Sequence, residues 1–330
     1  MKLSLDRVQI GPDRTSATVD DREVTADSPK ALRSALAGAL YDVFHAGRAP
    51  AAGPRPKSIR DSAFERELRV MVPHPLSSVL APVAPGASDV VQLSGVRVRI
   101  PEPQLGAEVD TPAGPARWVN LPAVLPRVSP GFLLVNGSAG ADMRPSAHVR
   151  LYVGAETADA APELWGAVLT RLERLRVPYR AKVLSARDLY PRRDSIVVYL
   201  GSRAWHAVPD IAEAAAAAGG LRGDASAYVA EVGPGIGWAW EPQDDRPGMR
   251  GLSFGEHRSH AIAAGLLAYA RQGGDRDEEV TVALRAAGIE PDALYRNADS
   301  PPLPFEISGP ERVRNPKAGE EEVNSCPPTS

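Results

Sequence analysis

At 330 residues, with 43% hydrophobic and 24% charged side chains, the chain has room for two modest domains and is apolar enough to pack a core. Its net charge of −3 excludes the strongly basic balance expected of a general nucleic-acid binder. No apolar run reaches the roughly 20 residues of a membrane span, the Met1-Lys2-Leu3-Ser4 start lacks a signal-peptide core, and the single Cys326 allows neither an internal disulfide framework nor a multi-thiolate metal cluster, so a cytoplasmic protein off the membrane is expected.

In chain order, residues 28–46 carry apolar positions at helical spacing behind a Ser28-Pro29 start. Residues 47–60 read as a mobile Pro/Gly/Ala loop, and 62–70 as a second helix. From 90 to 136 the pattern becomes short β segments broken by prolines. Among them Val96 to Ile100 alternates cleanly, and Gly131 to Gly137 is an apolar run between turn residues. His148 to Val153 alternates as a strand. Residues 162–176 place Leu164, Val168, Leu169, Leu172 and Leu175 on one helical face. Two strands are predicted over 179–184 and 195–200, then helices over 208–218 and 256–271. Beyond about 298 the chain is Pro-rich and then acidic, and reads as disordered. The fold class expected is α+β: a mixed or antiparallel sheet flanked by helices, with a smaller helical and β region at the N-terminus. The divisions are 1–128, 129–297 and 298–330, the first suited to binding a peptide.

Charge supplies the first chemical clue. Residues 144–203 hold eleven Arg/Lys against six Asp/Glu, a local excess of positive charge in an acidic chain. Arg171, Arg174 and Arg176 fit the solvated side of a helix. Arg150 lies inside a strand, while Arg192 and Arg193 precede the strongest strand. The last two are either turn charges or forks for an oxyanion, whose geometry a guanidinium matches.

Of 38 basic residues only five are lysines, and Lys182 stands alone between 58 and 316. Alternation puts it on one face with Arg180, and Ala181 and Val183 on the other. It is either a solvent-facing lysine on an edge strand or a base whose pKa neighbouring positive charge would lower. Gly251 to His260 leads into an Ala/Leu-rich helix. That helix start either holds an anion with help from Arg258 or is simply capped by Ser253. The Gly233-Pro234-Gly235-Ile236-Gly237 run lacks the strand-then-helix setting of a nucleotide loop. His257 and His260 have no evident third metal ligand, so no metal is expected.

Taken in order, Ser129-Pro130-Gly131-Phe132, Arg150-Leu151-Tyr152-Val153, Pro178 to Lys182, Tyr190 to Ser195 and Ser253 to Arg258 resemble the HopA-type effector family over roughly 129–270. That family occurs among bacterial type III effectors and in clusters for class V lanthipeptides and thioamitides. The resemblance implies a lyase that removes phosphate from phosphoserine or phosphothreonine of a ribosomal precursor peptide, leaving dehydroalanine or dehydrobutyrine without a cofactor. Its partners would be the precursor peptide, a Ser/Thr phosphotransferase and a cyclase.

A more distant likeness to phosphothreonine lyases casts Lys182 as the base and Arg258 as a phosphate-binding arginine; Arg150, Arg192 and Arg193, as guanidinium forks, are expected to complete the phosphate site. The acid falls to Tyr152, to His148 or to His257, or the arginines stabilise the leaving phosphate unaided. The competing expectation is a non-catalytic subunit that binds the precursor peptide or the kinase; a third is an effector acting on a host partner.

Overall fold

A computed structural model describes residues 5–48, 59–93, 95–142 and 148–303. The segments read as loop and tail lie outside these at 49–58 and 304–330. The fold is α+β, as the patterns predict. Strands β1 (Val8–Ile10), β2 (Ser16–Val19) and β3 (Arg22–Thr25) form a small antiparallel sheet. Helix α1 (Pro29–Leu40) follows, started by the Ser28 hydroxyl accepting the Ala31 N–H and by Pro29 in its first turn. It runs on as a π-helical turn, Tyr41–Ala46. Helix α2 (Ser62–Val70) is capped by Asp61. Strands β4 (Leu76–Ala84), β5 (Ala87–Leu93), β6 (Val96–Arg99), β7 (Leu105–Thr111) and β8 (Gly114–Pro122) make a five-stranded sheet in the order β6-β5-β4-β8-β7.

The site is carried by a seven-stranded sheet built from β9 (Val124–Ser129), β10 (Phe132–Asn136), β11 (Val149–Ala155), β12 (Arg180–Leu184), β13 (Arg192–Leu200), β14 (Ala230–Gly233) and β15 (Ile236–Trp240). Their order is β14-β15-β11-β13-β12-β10-β9, and every neighbouring pair is antiparallel. The discounted glycine run is the β14–β15 turn, where Gly235 takes a φ of 70°. Helices α3 (Ala161–Leu175) and α4 (Val208–Ala218) cover one face. There Leu133, Ala181, Val183, Ile196, Val198 and Leu151 are buried with Leu164, Trp165, Val168, Leu172 and Ile211. Full burial of each large apolar side chain is worth about 1.5–3 kcal/mol, which fixes which face looks inward.

Period two then sends the alternate residues to the opposite face. There Tyr152, Val197 and Ala239 pack with Leu36, Leu40 and Phe44 from the N-terminal segment. Phe254, Ile262 and Leu266 of α5 (Phe254–Gln272) complete that layer, and α6 (Arg276–Ala286) backs α5. Residues 5–48 are thus built into the second layer of the main sheet. One strand limit and one strand position differ from the sequence reading. β13 begins at Arg192, directly after Pro191, so Arg192 and Arg193 belong to the strand and do not precede it. β12 lies between β13 and β10, so Lys182 is not on an edge.

The π-helical turn meets α5 at very close range. A Cβ on Gly255 would stand 2.2 Å from the His45 ring, which is buried beneath it. Gly255→Ala should therefore destabilise the protein by about 1–3 kcal/mol, as overpacking does. The expected readout is a lower urea midpoint with unchanged slope; an unaltered midpoint would contradict this packing.

Candidate functional site

Sheet register assembles the site. Leu134, Lys182, Val197, Tyr152 and Gly237 form one row across β10, β12, β13, β11 and β15. Asn136, Arg180, Tyr199, Arg150 and Ala239 form the next row on the same face. Lys182, Tyr152, Arg150 and Arg180 therefore share a surface, although the chain separates them by up to 32 positions. Lys182 is half-buried, its Nζ 4.2 Å from the centre of the Phe132 ring and 5.8 Å from that of Tyr199. Among the described residues it makes no hydrogen bond and no ion pair.

The guanidiniums stand around those two rings. Arg150 lies 5.0 Å from the Tyr199 ring centre and pairs through Nε and Nη2 with Glu241. Arg192 lies 5.8 Å from the Phe132 ring centre. Arg180 donates from Nε to Asn136 Oδ1 at 2.9 Å and bonds no carboxylate among the described residues. Thus Arg150 and Arg192 are matched by Glu241 and Asp194, whereas Lys182 and Arg180 are unmatched. The surface suits an anion.

A β-bulge delivers Arg192. The pairing of β11 with β13 shifts between Val153 and Ala155, and the Ser195 hydroxyl fills the gap, accepting the Ala155 N–H at 2.6 Å and donating to the Arg192 carbonyl at 3.0 Å. Bulges re-aim side chains in this way. Arg192 then grips Asp194 through Nε at 2.7 Å and Nη2 at 2.5 Å, and Nη2 also donates to the Tyr41 hydroxyl at 2.8 Å. Tyr41 donates to Asp194 Oδ2 at 2.9 Å. Burial opposes ionisation of Asp194, but the Arg192 charge and the hydrogen bonds from Arg192 and Tyr41 hold it well below the usual carboxylate range. Behind it, burial pushes His45 down to about 4, and Nδ1 of that ring bonds Ser226 at 2.8 Å.

The other expected residues are placed differently. Arg193 turns away to Asp224 and to the carbonyls of Val43 and Phe44 at 2.9 and 3.3 Å, holding the end of the π-helical turn. Arg258 is fully buried. Its guanidinium donates to the Leu294 and Arg296 carbonyls, to Asn297 and to His257 Nδ1. It sits near Tyr152 and Arg150, as part of their support.

Because His257 Nδ1 accepts from Arg258 at 2.9 Å, its proton belongs on Nε2, which donates to Asp244 at 3.0 Å. Burial, then Arg258, push that ring down to about 4. His148, at the start of β11 and on the Arg150 face, is bonded through Nε2 to the Asp142 carbonyl. Tyr152 is the exception among the acid candidates: its hydroxyl is buried beside the Arg150 guanidinium with no well-aligned hydrogen bond among the described residues, and burial raises its pKa above the phenol range.

Arg180, Phe132, Tyr199 and Tyr41 were not expected as site residues. Alternation alone puts Arg180 beside Lys182, but only the cross-strand register shows what the aromatic rings do. Among the described residues no three His, Cys, Asp or Glu side chains gather as a metal-binding set, and no helix is long and apolar enough to cross a membrane.

Comparison with known proteins adds the following. The model of the HopA1 effector protein family matches residues 123–296. The solved effector protein of Pseudomonas syringae pv. syringae strain 61 is similar at 13% identity, over 79% of this chain and 89% of its own, with a TM-score of 0.46. That of Pseudomonas syringae pv. tomato strain DC3000 is similar at 14%, over 79% and 90%, also with a TM-score of 0.46. No curated protein matches.

Two of the buried histidines, His45 and His257, set a pH dependence. Both are neutral when folded and titrate near the ordinary 6.5 when unfolded, so the unfolded chain binds more protons between the two values. Stability should be full above about pH 6.5 and fall as pH drops toward 4, by roughly 3 kcal/mol per histidine. Urea titrations at stepped pH check this; a stability that stays flat until below pH 4 would assign acid unfolding to carboxylates alone.

Proposed function

This chain belongs to the HopA1 effector protein family, and from that premise we propose that it is a carbon–oxygen lyase. Its substrate is a phosphoserine or phosphothreonine of a ribosomal precursor peptide. A Ser/Thr phosphotransferase supplies the phosphate, and a cyclase uses the dehydroalanine or dehydrobutyrine produced. The observation that supports this reading best is an amine without an ion-pair partner, Lys182, set on two aromatic rings beside guanidiniums.

In its unprotonated form Lys182 takes the α-proton of the phosphorylated residue. The electrons of that C–H bond become the Cα=Cβ double bond, the Cβ–O bond breaks, and phosphate departs with the bonding pair. Negative charge grows first on the peptide carbonyl and then on the phosphate. Fixed donors aimed at such charge are the largest source of rate in a water-poor site.

Arg180 and Arg150 are the donors for phosphate oxygen, with Arg192 next to them. The Tyr152 hydroxyl supplies the hydrogen bond or proton for the leaving group. His257, whose proton already serves Asp244, and His148, held by a carbonyl, are poorly placed for that task. Arg193 and Arg258 brace the site without meeting the phosphate.

One observation favours a second, non-catalytic reading, in which the chain holds the precursor peptide or the phosphotransferase. On the five-stranded sheet Leu80 and Trp118 face each other across β4 and β8 and are 39% and 41% exposed, an apolar pair open to a partner.

Incubating purified protein with a phosphorylated precursor peptide separates the two readings. The expected result is loss of phosphoric acid by mass; an unchanged mass would favour the binding subunit. Lys182→Ala should abolish that loss while phosphopeptide binding stays intact, and full elimination by this variant would remove the base assignment. Tyr152→Phe should lower kcat by about a hundredfold, the lower bound for a lost general acid. Arg180→Ala should raise KM with a smaller effect on kcat, as expected for a residue that chiefly binds phosphate.

A further inference from the structure

A groove of about 1310 Å³ opens beside the cationic surface and has the opposite charge. Its walls come from β3, from α1 with the small residues Ser34, Ala35 and Gly38, and from the Asp188–Pro191 turn. Asp21, Glu23, Asp188 and Glu256 line it with exposed carboxylates. None of the four has a basic partner among the described residues; Glu256 alone is engaged, accepting the Ser253 N–H at the start of α5. The two guanidiniums of the lining, Arg22 and Arg48, are both held at 3.2 Å by the one carboxylate of Asp42. Among the described residues the groove therefore presents uncompensated negative charge to whatever enters it.

Its inner end reaches the proposed phosphate site. Tyr41 is part of the lining, and its hydroxyl is bonded to both Arg192 and Asp194. The Arg192 guanidinium stands 5.9 Å from the Tyr41 ring centre on the groove side and 5.8 Å from the Phe132 ring centre on the lysine side. Leu189, also on the wall, lies 3.5 Å from the Cβ position of Gly131, next to Phe132. A chain leaving the Lys182 surface past this corner passes from positive to negative surroundings.

We propose that the groove binds the segment of the substrate peptide adjoining the phosphorylated residue, and that it selects a segment carrying lysine or arginine within a few positions of the phosphate. The inference rests on the lyase reading for the location of the phosphate. A bipolar ligand, an anionic ester beside cationic side chains, matches the bipolar surface at both ends. Groove-side complementarity of this kind steers association and rejects chains of the wrong sign. An acidic flank would meet like charge and be disfavoured.

Binding tests it directly. Fluorescently labelled phosphoserine peptides are prepared with two lysines on the N-terminal side of the phosphate, with two on the C-terminal side, or with glutamines replacing them. Each is titrated against the full chain at low salt and at 0.5 M salt, a condition at which exposed charges are largely screened. One lysine peptide should bind about tenfold more tightly than the glutamine peptide, the sum of a few exposed ion pairs. The advantage should collapse at high salt and in the Asp21→Asn/Glu23→Gln/Asp188→Asn variant.

Equal affinities for all three peptides, or a preference that survives in the triple variant, would overturn the proposal. Affinity is read without turnover. If no peptide is converted yet the lysine preference appears and vanishes as described, the lyase reading fails while the groove assignment stands.

Discussion

Pairing of β12 with β13 sets Lys182 opposite Val197 and Arg180 opposite Tyr199, and pairing of β13 with β11 brings Tyr152 and Arg150 into the same two rows. Everything chemical on this surface depends on that register. A slip of one residue on β12 would send Lys182 into the layer filled by α3 and put Ala181 in its place. The apolar alternation buried beneath α3 and α4 is what forbids the slip. Ala181 and Val183 are fully buried on that side, and an ammonium in their position would have neither water nor a partner. The core thus positions the amine through the residues on either side of it.

Charge is distributed unequally over the sheet face opposite α3 and α4. Where a guanidinium must be buried, a carboxylate accompanies it: Glu241 for Arg150 and Asp194 for Arg192. Arg258 instead uses carbonyls and Asn297. Breaking such a buried pair strands a charge, so these arginines are structural. Lys182 and Arg180 are only half-buried and need no such partner. They are the cations left for an incoming anion. The π-helical turn belongs to the same arrangement, since it carries Tyr41 to Arg192 and places His45 behind Asp194.

Legibility in the sequence followed the strength of local pattern. Helices α2 and α4 match their predicted limits because their apolar spacing and their starts agree. β12 was legible in its alternation, and with it the shared face of Lys182 and Arg180. What could not be read was non-local. The sequence separates Phe132 from Lys182 by fifty positions, and nothing in either segment announces that one ring will lie under the other's ammonium. The bulge that carries Arg192 inward depends on Ser195 filling a gap in another strand. Arg258 drew attention as a first-turn cation beside a helix start. Tertiary packing instead buried it against the 294–297 segment, a destination no helix-end argument contains. Helix α6 escaped notice because its apolar face is narrow, with only Val280 and Leu284 buried.

The central claim is that a carbon-bound proton is removed on this sheet face as phosphate leaves. A precursor peptide carrying phosphoserine deuterated at Cα tests it most directly. The account predicts that the product is a dehydroalanine from which the deuterium has gone, with phosphate release slowed by the isotope whenever C–H cleavage limits the rate. Phosphate released with the deuterium still on the α-carbon, giving serine by hydrolysis, would contradict it.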